Sequence, residues 1–219
     1  MKCKSEFCRM QILLISATPN EIELFINAYT NVDILITGVG APATLYHLQR
    51  RLNKKEYDMV IQAGIAGSFS NDLQLGETVL VKQDTFGDLG AEEKRIFTPF
   101  FNTGLINGHE FPYANGWLIN STALPKNTML KSVKGVTVNR VSDSFLQKVQ
   151  LLDAFDAQVE SMEGAALHYV CLLEQVPFLQ LRSISNYVGE RDKSKWKIKD
   201  AFENLNTELT GLIKQLKDL

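Results

Sequence analysis

The chain has 219 residues, 45% of them apolar and 22% charged, with a formal net charge of −2. That length fits one large α/β domain spanning 1–219, with enough apolar side chain for a closed core. The near-neutral charge leaves no basic excess for nucleic acid or an anionic membrane surface, and no apolar run reaches membrane-spanning length.

Residues 10–17 form a short apolar stretch. Thr18-Pro19-Asn20-Glu21 follows and reads as a turn into a helix, so 10–17 is expected to be the first strand rather than a signal-peptide core. Asn20 is expected to cap a helix through 27. Further buried strands are predicted over 32–37, 58–63, 77–82, 135–138 and 178–184, mostly as continuous apolar runs of the kind covered on both faces. Between them the sequence predicts helices over 42–51, starting on Pro42, from Asp143 through 151, and over 162–175, which is apolar nearly all round. Phe202, Leu205, Leu209, Leu212, Ile213 and Leu216 recur at helical spacing and predict a last amphipathic helix. Strands alternating with helices point to a largely parallel sheet flanked by helices.

The segment 84–120 is long and irregular, and it carries Phe86, Phe97, Phe100, Phe101, Phe111, Tyr113 and Trp117. It reads as a lid over a site, a packed subunit contact, or a satellite cluster within the chain. Cys3, Cys8 and Cys171 are too few and too scattered for a disulfide framework and fit a reducing cytoplasm. His47, His109 and His168 lie far from Cys3 and Cys8, so no metal site is expected.

Five places could carry chemistry. Gly38-Val39-Gly40-Ala41-Pro42-Ala43 follows a strand and opens a helix, matching the dinucleotide pattern G-x-G-x-x-A. It follows the second strand, however, and Asp58 begins a strand rather than ending one, so a tight strand-to-helix turn is the simpler reading. Gly64-Ile65-Ala66-Gly67-Ser68 is expected to be a turn of small residues at a strand's carboxyl end, where ligands approach backbone closely. Glu163 opens an otherwise apolar helix. It either complements the helix dipole or accepts hydrogen bonds from a sugar diol, with Gly164, Ala165 and Ala166 leaving room. Arg182 lies within a buried run and needs an anionic partner, and Asn186 lies at that strand's end. Glu21 by itself reads as a cap-region charge.

Most of these places fall at the carboxyl end of a predicted strand. Taken in order, Ala17-Thr18-Pro19-Asn20-Glu21, Gly64-Ile65-Ala66-Gly67, Met162-Glu163-Gly164-Ala165 and Arg182-Ser183-Ile184-Ser185-Asn186 resemble the signature stretches of the nucleoside phosphorylase and nucleosidase superfamily. The resemblance implies a three-layer α/β/α sandwich around a twisted, partly closed mixed sheet, a small-molecule nucleoside substrate, no cofactor or metal, and a homo-oligomer. It implies that Glu21 is the general base that deprotonates water and that Glu163 clamps the ribose hydroxyls, with Met162 packed on the sugar. It also implies that Arg182 neighbours the base catalyst, that Ile65, Ala66 and Gly67 line the sugar pocket, and that the purine passes near Asn139 and Val141. In the adenine-specific members an aspartic acid stands where this chain has Asn186. An amide donates and accepts hydrogen bonds but gives up no proton, which implies a 6-oxopurine base. Ile65 stands at a position that would face the phosphate site of phosphorolytic members, and no arginines cluster there, which implies water as the nucleophile. The alternatives are an adenine-releasing nucleosidase, an inactive nucleoside-binding protein on the same fold, and, on Gly38–Ala43 alone, a nicotinamide-dependent oxidoreductase. Tyr113, Phe111 and Trp117 are candidates for the 5′ side of the substrate.

Overall fold

The computed structural model describes residues 10–28, 32–125 and 128–217. Cys3 and Cys8 lie outside the described residues. The continuous apolar runs form the strands β1 (Ile12–Ser16), β2 (Asp33–Ile36), β3 (Met59–Ser68), β4 (Thr78–Asp84), β8 (Ser132–Thr137) and β10 (Phe178–Tyr187). Two short strands escape the sequence pattern, β7 (Leu118–Ile119) and β9 (Val159–Ser161). A separate hairpin, β5 (Gly90–Glu93) with β6 (Ile96–Pro99), begins the aromatic segment.

The main sheet runs β10-β4-β8-β9-β3-β1-β2, with β7 on the edge of β4 and a further pairing of β10 with β3. That last pairing closes β3, β9, β8, β4 and β10 into a ring and leaves β1 and β2 as an open wing. The closure depends on the length of β3. Its first half pairs with β1, while Gly67 and Ser68 at its far end pair antiparallel with β9. On its other side β10 follows it from Phe178 to Tyr187. The β10–β4, β3–β9 and β4–β7 pairs are antiparallel and the remaining pairings parallel, so the sheet is mixed, with parallel pairs in the majority.

Helices cover both faces. α1 (Glu23–Ala28) and α6 (Ile198–Lys217) pack on one side, where Phe25, Leu205, Leu209, Leu212, Ile213 and Leu216 meet Leu14, Ile61 and Leu179. α2 (Ala41–Leu52) and α5 (Gly164–Leu173) pack on the other, with Leu48, Leu167, Val170 and Cys171 against Leu13, Ile15 and Val60. α4 (Phe145–Phe155) lies over a further cluster with Phe69, Val136 and Val188. This is the three-layer sandwich around a partly closed mixed sheet that the resemblance implied. Among the described residues no helix is long and apolar enough to cross a membrane.

Several local expectations need correction. The helix expected from Asn20 is a 3-10 turn (Pro19–Ile22) capped by Thr18 and followed by α1. α4 is capped by Ser144, whose hydroxyl accepts from the Gln147 N–H at 3.2 Å, rather than by Asp143. The expected turn over 64–68 is strand, because its backbone groups are held on both sides by β10 and β9. Within the segment 84–120, the short helix α3 (Phe100–Thr103) carries Phe101 against Tyr113, while Tyr113 and Phe86 pack on Tyr169 and Trp117 packs on Phe155. Most of the segment's aromatics thus pack within the chain as a satellite cluster, while Phe111 stays 63% exposed.

Candidate active site

Glu21 owes its position to a cap. Thr18 and Glu21 form a capping box around the 3-10 turn: Glu21 Oε2 accepts from the Thr18 N–H at 2.9 Å and the Thr18 hydroxyl at 3.1 Å. Ser16 Oγ, from the end of β1, donates to the same oxygen at 2.9 Å. Asn206 of α6 ties the turn down from behind, donating to the Glu21 carbonyl at 2.8 Å and accepting from the Phe25 N–H at 2.8 Å. Oε1 accepts from the Ile65 N–H at 3.2 Å and has a further lone pair. The carboxylate is thus fixed in direction with one oxygen left for a ligand.

Glu163 occupies the N-cap position of α5, yet its carboxylate turns away from the helix. Oε1 accepts from the Gly40 N–H at 3.0 Å, and Oε2 lies 3.4 Å from Arg182 Nη2. The glycine-rich turn before α2 therefore serves Glu163. Gly40 takes φ +95°, a conformation that suits glycine, to aim its N–H there. Asp58, at the opposite end of the sheet, accepts from the Gln11 N–H at 2.7 Å.

Arg182 is 1% exposed and donates to Gln62 Oε1 at 2.9 Å and the Ile65 carbonyl at 3.5 Å. Gly64 explains how it fits. A Cβ there would collide with Arg182 Nη1 and lie 2.9 Å from Glu21 Oε1. The guanidinium thus runs past bare backbone between the two carboxylates, behind the cleft wall rather than in it.

A cleft of about 270 Å³ opens in front of these groups, lined by Glu21, Ile65, Ala66, Gly67, Val141, Met162, Glu163 and Asn186, among others. Asn186 lies where β10 shifts register against β3. Its Oδ1 accepts from the Ser185 hydroxyl at 2.9 Å, and its Nδ2 donates to the Tyr187 carbonyl at 3.1 Å. The structure does not bring Asn139 to the lining. Its side chain and N–H are held by Asp88, the N–H at 2.7 Å. Nor do Tyr113, Phe111 and Trp117 reach it; the aromatic wall is Trp196 and Phe202. Phe202 had been readable only as a member of the helical stripe. Gly164, Ala165 and Ala166 do not leave room for a sugar, because they lie behind Glu163, where Gly164 admits the Asp84–Gln180 pair.

A charged lining group also went unmarked in the sequence, Glu160 of β9. It is buried, and its carboxylate accepts from both the N–H and the hydroxyl of Ser142. Burial raises its pKa above the ordinary carboxylate range, with the two Ser142 hydrogen bonds working against that rise.

Deeper still, Asp84 accepts from the Thr85 N–H at 2.8 Å, Thr137 Oγ1 at 2.9 Å and Gln180 Nε2 at 3.1 Å. Thr137 Oγ1 in turn accepts from the Ala165 N–H at 2.7 Å. This network fixes the first turn of α5 and so the place from which Glu163 reaches out. Burial pushes Asp84 up to about 6 and His168, also fully buried, down to about 4.

The family model described as phosphorylase superfamily matches residues 11–217. Futalosine hydrolase of Thermus thermophilus is 30% identical over 182 residues, covering 82% of this chain and 80% of that protein. Futalosine hydrolase of Streptomyces coelicolor is 31% identical over 185 residues, covering 82% and 77%. Among solved structures, futalosine hydrolase of Helicobacter pylori superimposes with TM-score 0.77 at 18% identity, covering 96% of this chain and 100% of that one. A methylthioadenosine/adenosylhomocysteine nucleosidase of Colwellia psychrerythraea in complex with adenine gives 0.79 at 18% identity, covering 97% and 98%. The chain belongs to the phosphorylase superfamily and, within it, to the family of the futalosine hydrolases.

Proposed function

We propose that this chain hydrolyses the N-glycosidic bond of futalosine, releasing hypoxanthine and dehypoxanthine futalosine, in the cytoplasm and as a step of menaquinone biosynthesis. The observation that supports this best is the convergence of Glu21, Glu163 and Asn186, far apart in the chain, on one cleft that Met162 also lines. The free lone pair of Glu21 orients water and takes its proton as the water oxygen bonds to C1′ and the C1′–N9 bond breaks. Such general-base help is typically worth about 10²–10⁴ in rate. Glu163 accepts hydrogen bonds from the ribose hydroxyls. The ion pair with Arg182 and the Gly40 N–H hold its carboxylate for that task, so Arg182 positions and does not touch substrate. The Asn186 amide donates to the departing purine, whose negative charge spreads onto its 6-oxo group, and the base then takes a proton from solvent. No metal or cofactor enters the reaction. We further propose a single domain over 1–219 and a homo-oligomer. Support for the latter is an apolar strip on α2 and α5, where Tyr46 is 60% and Leu173 43% exposed.

Incubating the protein with futalosine and with methylthioadenosine and identifying the released base tests the substrate. Hypoxanthine is expected, and adenine alone would replace futalosine with the adenine-releasing alternative. Glu21→Gln should lower kcat by about 10² or more while nucleoside binding persists. Retained turnover would remove Glu21 from its role.

A further inference from the structure

We propose that Glu160 reads the N1 edge of the base and is the residue that selects 6-oxopurines over 6-aminopurines; this rests on the nucleosidase reading above. The pairing of Asn186 with Gly67, and of Gly67 with Glu160, sets these three residues in one row across β10, β3 and β9. Residues directly opposite on neighbouring strands project from the same face, and all three line the cleft. The middle member has no side chain. A Cβ on Gly67 would lie 3.3 Å from Asn186 Nδ2 and 3.1 Å from Val188 Cγ2. The row is therefore a notch floored by backbone, with an amide on one side and a carboxyl group on the other. Neighbouring strands stand about 4.8 Å apart, so the two flanking backbones are separated by roughly 10 Å.

The chemistry of the base edge distinguishes the two flanks. A 6-oxopurine presents acceptors at N7 and O6 and a donor at N1–H. A 6-aminopurine presents an acceptor at N7, a donor at its amino group and an acceptor at N1. The Asn186 amide has both a donor and an acceptor, so by reorienting it can serve either base. Both Ser142 hydrogen bonds are donated to Glu160 and favour its ionised form against the burial, and an ionised carboxylate only accepts. It can pair with N1–H, but it faces the bare N1 of adenine lone pair to lone pair. Ser142 occupies one lone pair on each Glu160 oxygen and fixes the direction of the group, leaving acceptor capacity toward the cleft. In a buried site a mismatched acceptor has no water to turn to, and sites built on one hydrogen-bond pattern reject the other strongly.

The competing role for Glu160 is to pin the loop of Ser142 and Val141, and the test separates the two. Measure kcat/KM for futalosine and for the matching 6-aminopurine nucleoside in wild type, Glu160→Gln and Ser142→Ala. The 6-oxo preference should fall about tenfold or more in Glu160→Gln and stay within about twofold in Ser142→Ala, where the backbone N–H of residue 142 still holds Glu160 Oε1 in place. An unchanged preference in Glu160→Gln, or an equal fall in Ser142→Ala, overturns the proposal. A second measurement needs no variant: wild type should bind hypoxanthine about tenfold or more tightly than 1-methylhypoxanthine, which lacks the N1 donor. Equal binding of the two bases overturns the proposal even if Glu160→Gln fails to fold. A protein that cleaves neither nucleoside but discriminates the two free bases would remove the reaction and leave the edge reader standing.

Discussion

At the scale of single residues, the site is organised around an absence. Gly64 sits in the middle of a strand, where glycine is ordinarily a weakness. Here its missing Cβ is the passage through which Arg182 reaches between Glu21 and Glu163. An alanine at this position forces the guanidinium, the Glu21 carboxylate or both to move. Misplacement of about 1 Å in a catalytic group can cost about 10² in rate. Gly64→Ala should therefore lower kcat/KM about 10–100-fold, while far-ultraviolet circular dichroism shows an intact fold. Steady-state kinetics near wild type would mean that the strand yields without disturbing either carboxylate. Glu21 illustrates why composition alone understates such residues. Its capping box and its exposure to the cleft are the same geometry, because the cap spends Oε2 and leaves Oε1.

At the scale of elements, α5 inverts an ordinary rule. Replacing glycine by alanine in a helix usually stabilises by about 0.5–1 kcal/mol. Gly164 opens α5, yet a Cβ there would collide with Asp84 Oδ2 and Gln180 Nε2. Overpacking of a dense interior typically costs about 1–3 kcal/mol, so Gly164→Ala should lower the thermal midpoint rather than raise it. Scanning calorimetry of the two proteins checks this, and a raised midpoint would show that the Asp84 network is loose. Legibility in the sequence followed the same physics. The apolar runs of β1, β3 and β10 and the stripe of α6 announced themselves, because periodicity reports burial. The far half of β3 did not, since Gly64 and Gly67 read as turn residues when the partner strands that hold them are unknown. β9 was hidden by its brevity and by Glu160 and Ser161, both buried yet polar. Of the candidate site, Glu21 and Asn186 were found because each follows a strand's carboxyl end, and Glu163 because it opens an otherwise apolar helix. Trp196, Phe202 and Glu160 were missed because their neighbours in space are remote in sequence. Asn139 was misplaced because its carboxyl-end position does not show that Asp88 holds it elsewhere.

At the scale of the whole molecule, two fully buried titratable groups oppose each other. His168 is held near neutrality by burial, its folded pKa about 4 against an ordinary 6.5. As pH falls from about 6.5 to 4 the unfolded chain takes up a proton that the folded chain refuses, so this group removes stability. Asp84 behaves in reverse, with a folded pKa of about 6 against 3.8. As pH falls from about 6 to 4 the folded chain takes up the proton first, so this group adds stability. Each effect is of the order of 3 kcal/mol at about 1.4 kcal/mol per pH unit, and over that window they largely cancel. Asp84→Asn removes one side of the balance. Asparagine still accepts from Thr85 and Thr137 through its oxygen, and the Gln180 amide can turn its unpartnered Oε1 toward the new N–H group. The variant should therefore fold, and its stability relative to wild type should worsen by about 3 kcal/mol between pH 6.5 and pH 4. Urea unfolding at both pH values measures that difference directly, with the surface carboxylates common to both proteins dropping out. A difference that does not change with pH would mean that Asp84 is ionised in the folded state throughout. The network that positions Glu163 would then be anchored by a charge rather than by a neutral acid.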